Sequence, residues 1–151
     1  MVRELAKKYD IRNPPVDPVQ LARAEGVDVK FVSFTGEYSG VSGFYDPNDH
    51  AIYVNKDEYP LRQTFTVAHE LAHALLHKEW ASSPEYRVFW RDESRNDKGA
   101  HEKEANSFAA HLLVPRQLLD KYSDLDTREM SKLFAVSVPV INNRLAFEYG
   151  Y

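Results

Sequence analysis

Residues 60–77, PLRQTFTVAHELAHALLH, set three ionisable side chains inside an apolar helical repeat. Pro60 suits the first helical position, where its missing N–H costs nothing. At about 100° per residue counted from His69, the residues Leu61, Phe65, Ala68, Leu71, Ala72, Leu75 and Leu76 fall in an arc of roughly 200° to 340°. His69 and His73 are four apart and so lie one turn from each other on one face, while Glu70 sits about 100° around from His69. The helix therefore has a core face and, beside it, a polar face that must line a cleft or be satisfied internally.

His-Glu-Leu-Ala-His fills the HExxH pattern of zinc peptidases, in which two histidines reach one ion and the glutamate approaches its water. Core histidines satisfied by buried carboxylates are the alternative, but that reading leaves three ionisable groups on an otherwise apolar helix without a reason. Catalytic zinc takes three protein ligands and keeps one position for water. The chain has no cysteine, which excludes thiolate ligands, disulfides and a cysteine nucleophile together. His77 lies two turns, about 12 Å along the axis, from His69, too far to share an ion with it. For His77, His111 and His50 a solvent-facing or helix-end role suffices.

The third ligand is sought in EKEANSFAAHLLVP, where helical periodicity returns at Glu102 and stops at Pro115. With Glu102 at 0°, the apolar face formed by Ala105, Phe108, Ala109, Leu112 and Leu113 runs from roughly 240° to about 20°, and Glu104 points away near 200°. Glu102 is thus the expected ligand, and Asn106, one turn along, is placed to bond a ligating histidine or the carboxylate; a buried amide bonded to backbone is the plainer reading of Asn106. His101, expected just before the helix, is the lesser alternative ligand or a rim residue. Zn2+ held by His69, His73 and Glu102 would polarise a scissile carbonyl, with Glu70 taking a proton from the attacking water, which makes peptide hydrolysis the natural reaction class. His101, Tyr86 and Arg87 are the candidates for stabilising the oxyanion, with little to rank them.

The remaining sequence frames these two helices. Its 151 residues suit one domain with a sizeable core, and a net charge of −4 does not favour direct nucleic-acid binding. No apolar run is long enough for a signal peptide or a membrane span, so a cytoplasmic location is expected. Asp17, Pro18 and Gly26 bracket a helix over 18–25. VDVKFVSF, 27–34, alternates as a half-buried strand, and 41–45 with 51–54 reads as a hairpin around DPNDH. Residues 78–101, with Trp80, Tyr86, Phe89 and Trp90, read as a long loop or insertion, and the charged stretch 91–98 as a solvated surface. Asp126 with Glu129, and Ser137, mark the starts of two short helices. Together these give an α+β expectation: a small, mainly antiparallel three-stranded sheet packed against the HExxH helix and a glutamate-bearing helix, followed by a helical tail.

AHELAHALLH followed by EKEANSFAAHLLVP resembles the ImmA/IrrE, or M78, family of metallopeptidases. PVDPVQLARAEGVDV is similar to that family's first helix and strand, and GFYDPNDHAIYVN to its hairpin. The family's pattern of a glutamate before Ala-Asn falls on Glu102, Ala105 and Asn106. The resemblance implies a zincin-like core over 1–120 with a helix-turn-helix-like tail over 121–151, in one domain. It also implies a cytoplasmic zinc endopeptidase that cleaves a helix-turn-helix transcriptional repressor to control a mobile element, a stress response or a toxin–antitoxin-like module. The larger radiation-response members carry a further C-terminal domain for which 151 residues leave no room. The competing expectation is a non-proteolytic binding partner, a toxin, antitoxin or anti-repressor, that keeps the zincin fold; the intact Glu70 favours the enzyme, because a pure binder needs no general base.

Overall fold

The computed structural model describes residues 1–86 and 99–151. Helix α1 (Val2–Lys8) precedes α2 (Pro18–Ala24), whose cap is Asp17 accepting from the N–H groups of Val19 and Gln20. Gly26, at φ 84°, turns the chain into β1 (Asp28–Val32). A short 3-10 turn leads to β2 (Gly43–Asp46) and β3 (Ala51–Asn55), the expected hairpin.

The sheet order is β1-β3-β2, with β2 antiparallel and β1 parallel to β3. The sheet is therefore mixed, which corrects the mainly antiparallel expectation. Period-two alternation reports that a strand has a buried face but not its direction. Here the segment holding β2 serves as the connection that lets β3 return beside β1 in the same direction. β3 is central: Val29 of β1 and Tyr45 of β2 both stand opposite Ile52, and all three are buried.

Helix α3 (Pro60–Leu76) packs on β2 and β3 and, through its other side, on α5 (Ala100–Leu113), its most extensive helix contact. Small side chains at Ala68, Ala72, Ala105 and Ala109, all fully buried, let the two helices approach, and Leu71, Phe108, Leu112 and Leu113 fill the space around them. Leu61, assigned to the apolar arc, stands 43% exposed, because the first turn of α3 extends past the elements that cover it.

The expected long loop holds α4 (Lys78–Ala81) in its described part; Arg87, Phe89, Trp90 and the charged stretch 91–98 lie outside the described residues. Helix α5 starts at Ala100, two residues before Glu102, so His101 belongs to its first turn rather than preceding it. A helix that periodicity did not announce, α6 (Arg116–Lys121), follows Pro115. Helices α7 (Thr127–Phe134) and α8 (Val138–Tyr149) form the tail. Asp126 and Glu129 make the expected capping box, whereas Ser137 occupies its cap position without a side-chain hydrogen bond. No helix among the described residues is long and apolar enough to cross a membrane.

Candidate metal centre

Helices α3 and α5 run antiparallel, so Asn106 meets His69 while Glu102 meets His73. Both imidazoles turn Nε2 toward the Glu102 carboxylate: His73 Nε2 lies 2.7 Å from Oε1 and His69 Nε2 lies 2.9 Å from Oε2. On its far side His69 presents Nδ1 to Asn106 Oδ1 at 2.8 Å. Glu70 Oε2 is 3.8 Å from His69 Nε2, and its Oε1 accepts a 2.7 Å hydrogen bond from the Tyr86 hydroxyl. The set is closed in by protein: Glu70 and Glu102 are each 2% exposed, His73 is fully buried and His69 nearly so.

Burial this deep penalises charge, yet the neighbours reverse the penalty. Burial pushes the Glu102 carboxyl up, but the imidazoles of His69 and His73 outweigh it and hold the group well below the usual carboxylate range. Burial likewise pushes His69 down, and the Glu102 and Glu70 carboxylates with Asn106 lift it above its ordinary value. The site is thus an anionic carboxylate held between two imidazoles.

The donor set fits a divalent ion. Although Glu102 Oε2 is 2.9 Å from His69 Nε2, the alignment is off the hydrogen-bond direction, and this buried oxygen has no hydrogen bond of its own. An orphaned buried carboxylate oxygen calls for a cation. His69 Nε2 and His73 Nε2 lie 2.9 and 2.7 Å from that one carboxylate, at hydrogen-bond distance. His69, Glu70 and His73 also bring ligand atoms within 4.8 Å of one another. Of the two carboxylates, Glu102 touches both imidazoles, whereas Glu70 is tied by one oxygen to Tyr86.

Three residues stand differently from their sequence-based expectation. Tyr86, offered for an oxyanion, is 1% exposed; its hydroxyl donates to Glu70 and accepts from the Tyr45 N–H at 2.8 Å, so it holds Glu70 rather than facing a cleft. His77, given a solvent or helix-end role, caps α3 but is 7% exposed, with Nδ1 3.0 Å from His73 Nδ1 and Nε2 2.5 Å from Glu104 Oε1. Its i+4 spacing from His73 repeats that of His69 to His73, a signal present in the sequence. His101 is half-buried and stacks on Trp80, with ring centroids 4.3 Å apart, and meets the edge of His77. Arg87 lies outside the described residues.

The helix pair converges two histidines and two glutamates beside a small mixed sheet, a donor set suited to a metal ion. Residues 22–146 match the M78 peptidase family, described as the IrrE N-terminal-like domain, and the chain belongs to that metallopeptidase family. It is 35% identical over 130 residues to the radiation response metalloprotease IrrE of Deinococcus deserti, covering 84% of this chain and 42% of that protein. It is 28% identical over 127 residues to "Uncharacterized immunity region protein 2" of Bacillus phage phi105, covering 83% of this chain and 73% of that one. Among solved structures, a transcriptional regulator of Mycobacterium tuberculosis superposes with a TM-score of 0.69 at 19% identity, over 96% of this chain and 45% of the other, a likeness of fold. The chain spans less than half the length of the Deinococcus deserti and mycobacterial proteins.

Proposed function

We propose that the chain is a zinc-dependent endopeptidase of zincin-like fold in which His69, His73 and Glu102 hold the ion and Glu70 is the catalytic base. The observation that carries this reading is one buried carboxylate set against Nε2 of both HExxH histidines, with a second carboxylate alongside. A bound zinc ion supplies a Lewis acid for the scissile carbonyl and for the attacking water. Asn106 Oδ1 accepts from Nδ1–H of His69 and so leaves Nε2 with its lone pair for the ion. Tyr86 fixes one Glu70 oxygen and leaves the other, on the His69 side, to take the water's proton and pass it to the leaving amine.

Residues 1–120 are then the catalytic core and 121–151 the helical tail of a single cytoplasmic domain. The substrate proposed is a helix-turn-helix transcriptional repressor whose cleavage would release a mobile element, stress response or toxin–antitoxin-like module; likeness to a radiation-response metalloprotease and to a phage immunity-region protein supports that class. The test is to incubate the protein, with zinc and with a chelator, against the helix-turn-helix protein encoded beside it. A defined fragment that needs zinc and Glu70 is expected. Relief of repression in cells by Glu70→Gln at the parent level would replace the peptidase with the non-proteolytic binding partner.

A further inference from the structure

Each HExxH histidine has its second ring nitrogen engaged, but by different means. For His69 the partner is Asn106; for His73 it is another imidazole, and the chain continues beyond it. His73 can offer a lone pair at Nε2 only if its proton sits on Nδ1, where the group within reach is His77 Nδ1 at 3.0 Å. His77 then carries its own proton on Nε2, which lies 2.5 Å from Glu104 Oε1. With an ion taking the Nε2 lone pair of His73 in place of its 2.7 Å contact to Glu102, one proton per ring satisfies the His73–His77 and His77–Glu104 contacts, with the Glu104 carboxylate as the terminal acceptor.

We propose that His77 and Glu104 form a hydrogen-bond relay that fixes the tautomer and ring orientation of His73, making His77 a positioning residue for the metal centre. The inference rests on the metal-site reading above and assigns roles to two side chains which that reading leaves idle. His77 is held for the task. It caps α3 with its N–H bonded to the His73 carbonyl at 3.0 Å, and the Trp80 ring packs 5.1 Å from His73 and 6.3 Å from His77. The Glu104 side chain is 61% exposed, so the outer end of the relay is screened by water and its share is the smaller one. Glu104, two residues past Glu102 on α5, reaches across to His77 at the C-terminal end of α3.

Zinc affinity, measured by competition with a chromophoric chelator, and the visible absorption of the cobalt-substituted protein test the relay without recourse to peptidase activity. His77→Phe is expected to weaken zinc binding about 10–100-fold and to change the cobalt spectrum. His77→Gln, able to accept from His73 and donate to Glu104, should recover most of the affinity. Glu104→Ala should weaken binding by a few-fold in the parent and add nothing in the His77→Phe background. Parent-like affinity and cobalt spectrum in His77→Phe would overturn the proposal, as would a His77→Gln variant as weak as the Phe variant. If His77→Phe does not fold, the exposed Glu104→Ala decides, and unchanged affinity there overturns the relay. Failure of the site itself looks different: the parent, or His69→Ala equally with the parent, would then show no specific zinc binding, and relay and metal centre would fall together.

Discussion

Glu70 has two carboxylate oxygens with separate duties. Tyr86 occupies Oε1, and Oε2 lies 3.8 Å from His69 Nε2. Glu70→Gln keeps the shape and the Tyr86 contact but cannot accept a proton, so it should retain zinc and stability while cleavage falls by about 10²–10⁴; metal analysis beside a cleavage assay checks both halves. Tyr86→Phe acts differently. It strips the buried Tyr45 N–H of its acceptor and Glu70 of its donor, and each orphaned group costs about 1–3 kcal/mol. Urea unfolding should show a loss of about 2–6 kcal/mol for the two groups together, with zinc content unchanged. At Glu102 the order reverses: Glu102→Ala should abolish most zinc binding, far more than Glu104→Ala, and equal losses in the two variants would remove Glu102 as the third ligand.

β2 and α3 are pressed closely together at Gly43. A Cβ added at Gly43 would lie 2.6 Å from both Thr66 Cγ2 and the Tyr53 carbonyl oxygen, closer than packed atoms tolerate. Gly43→Ala must therefore push strand from helix, with an expected cost of about 1–3 kcal/mol by thermal or urea unfolding. Much at this scale was legible beforehand. The apolar period of 60–76 gave helix α3, and the phase of Ala105, Phe108 and Leu112 put Glu102 on the buried side of α5 and Glu104 on the exposed side, because helical faces follow from local spacing alone. What escaped was set by contacts between elements. The direction of β1 depends on which strand it pairs with, and His101 joined α5 because tertiary packing extends a helix past the last periodic residue. For His77 the helix-end role holds, since it caps α3, but the solvent-facing alternative does not: helix geometry placed its ring beside His73, and only the partner helix supplied Glu104.

Across the whole molecule, the tail is fastened to the far end of the helix that carries Glu102. Arg144 of α8 is 2% exposed: its Nε donates to the Val114 carbonyl at 2.9 Å, one terminal nitrogen to His111 Nε2 at 3.0 Å and the other to Glu148 Oε1 at 2.8 Å. Arg116 adds a 3.0 Å contact to Glu148. The clamp is pH-sensitive in a definite direction. Burial and the Arg144 charge push His111 below its ordinary value, so the folded chain holds it neutral while the unfolded chain binds a proton. Burial pushes Glu148 up, but Arg144, Arg116 and His111 outweigh it and hold the group below its ordinary value. Both contributions are therefore present at neutral pH and lost on acidification, that of His111 as pH falls below about 6.5 and that of Glu148 below about 4.3. His111→Gln keeps an acceptor for Arg144 and removes the first titration. In chelator, the loss of unfolding free energy between pH 7 and 5.5 should be smaller in that variant than in the parent, while the further loss below about pH 4.5 persists in both. A parallel decline across the upper window would show that His111 is not one of the groups through which acid loosens the tail.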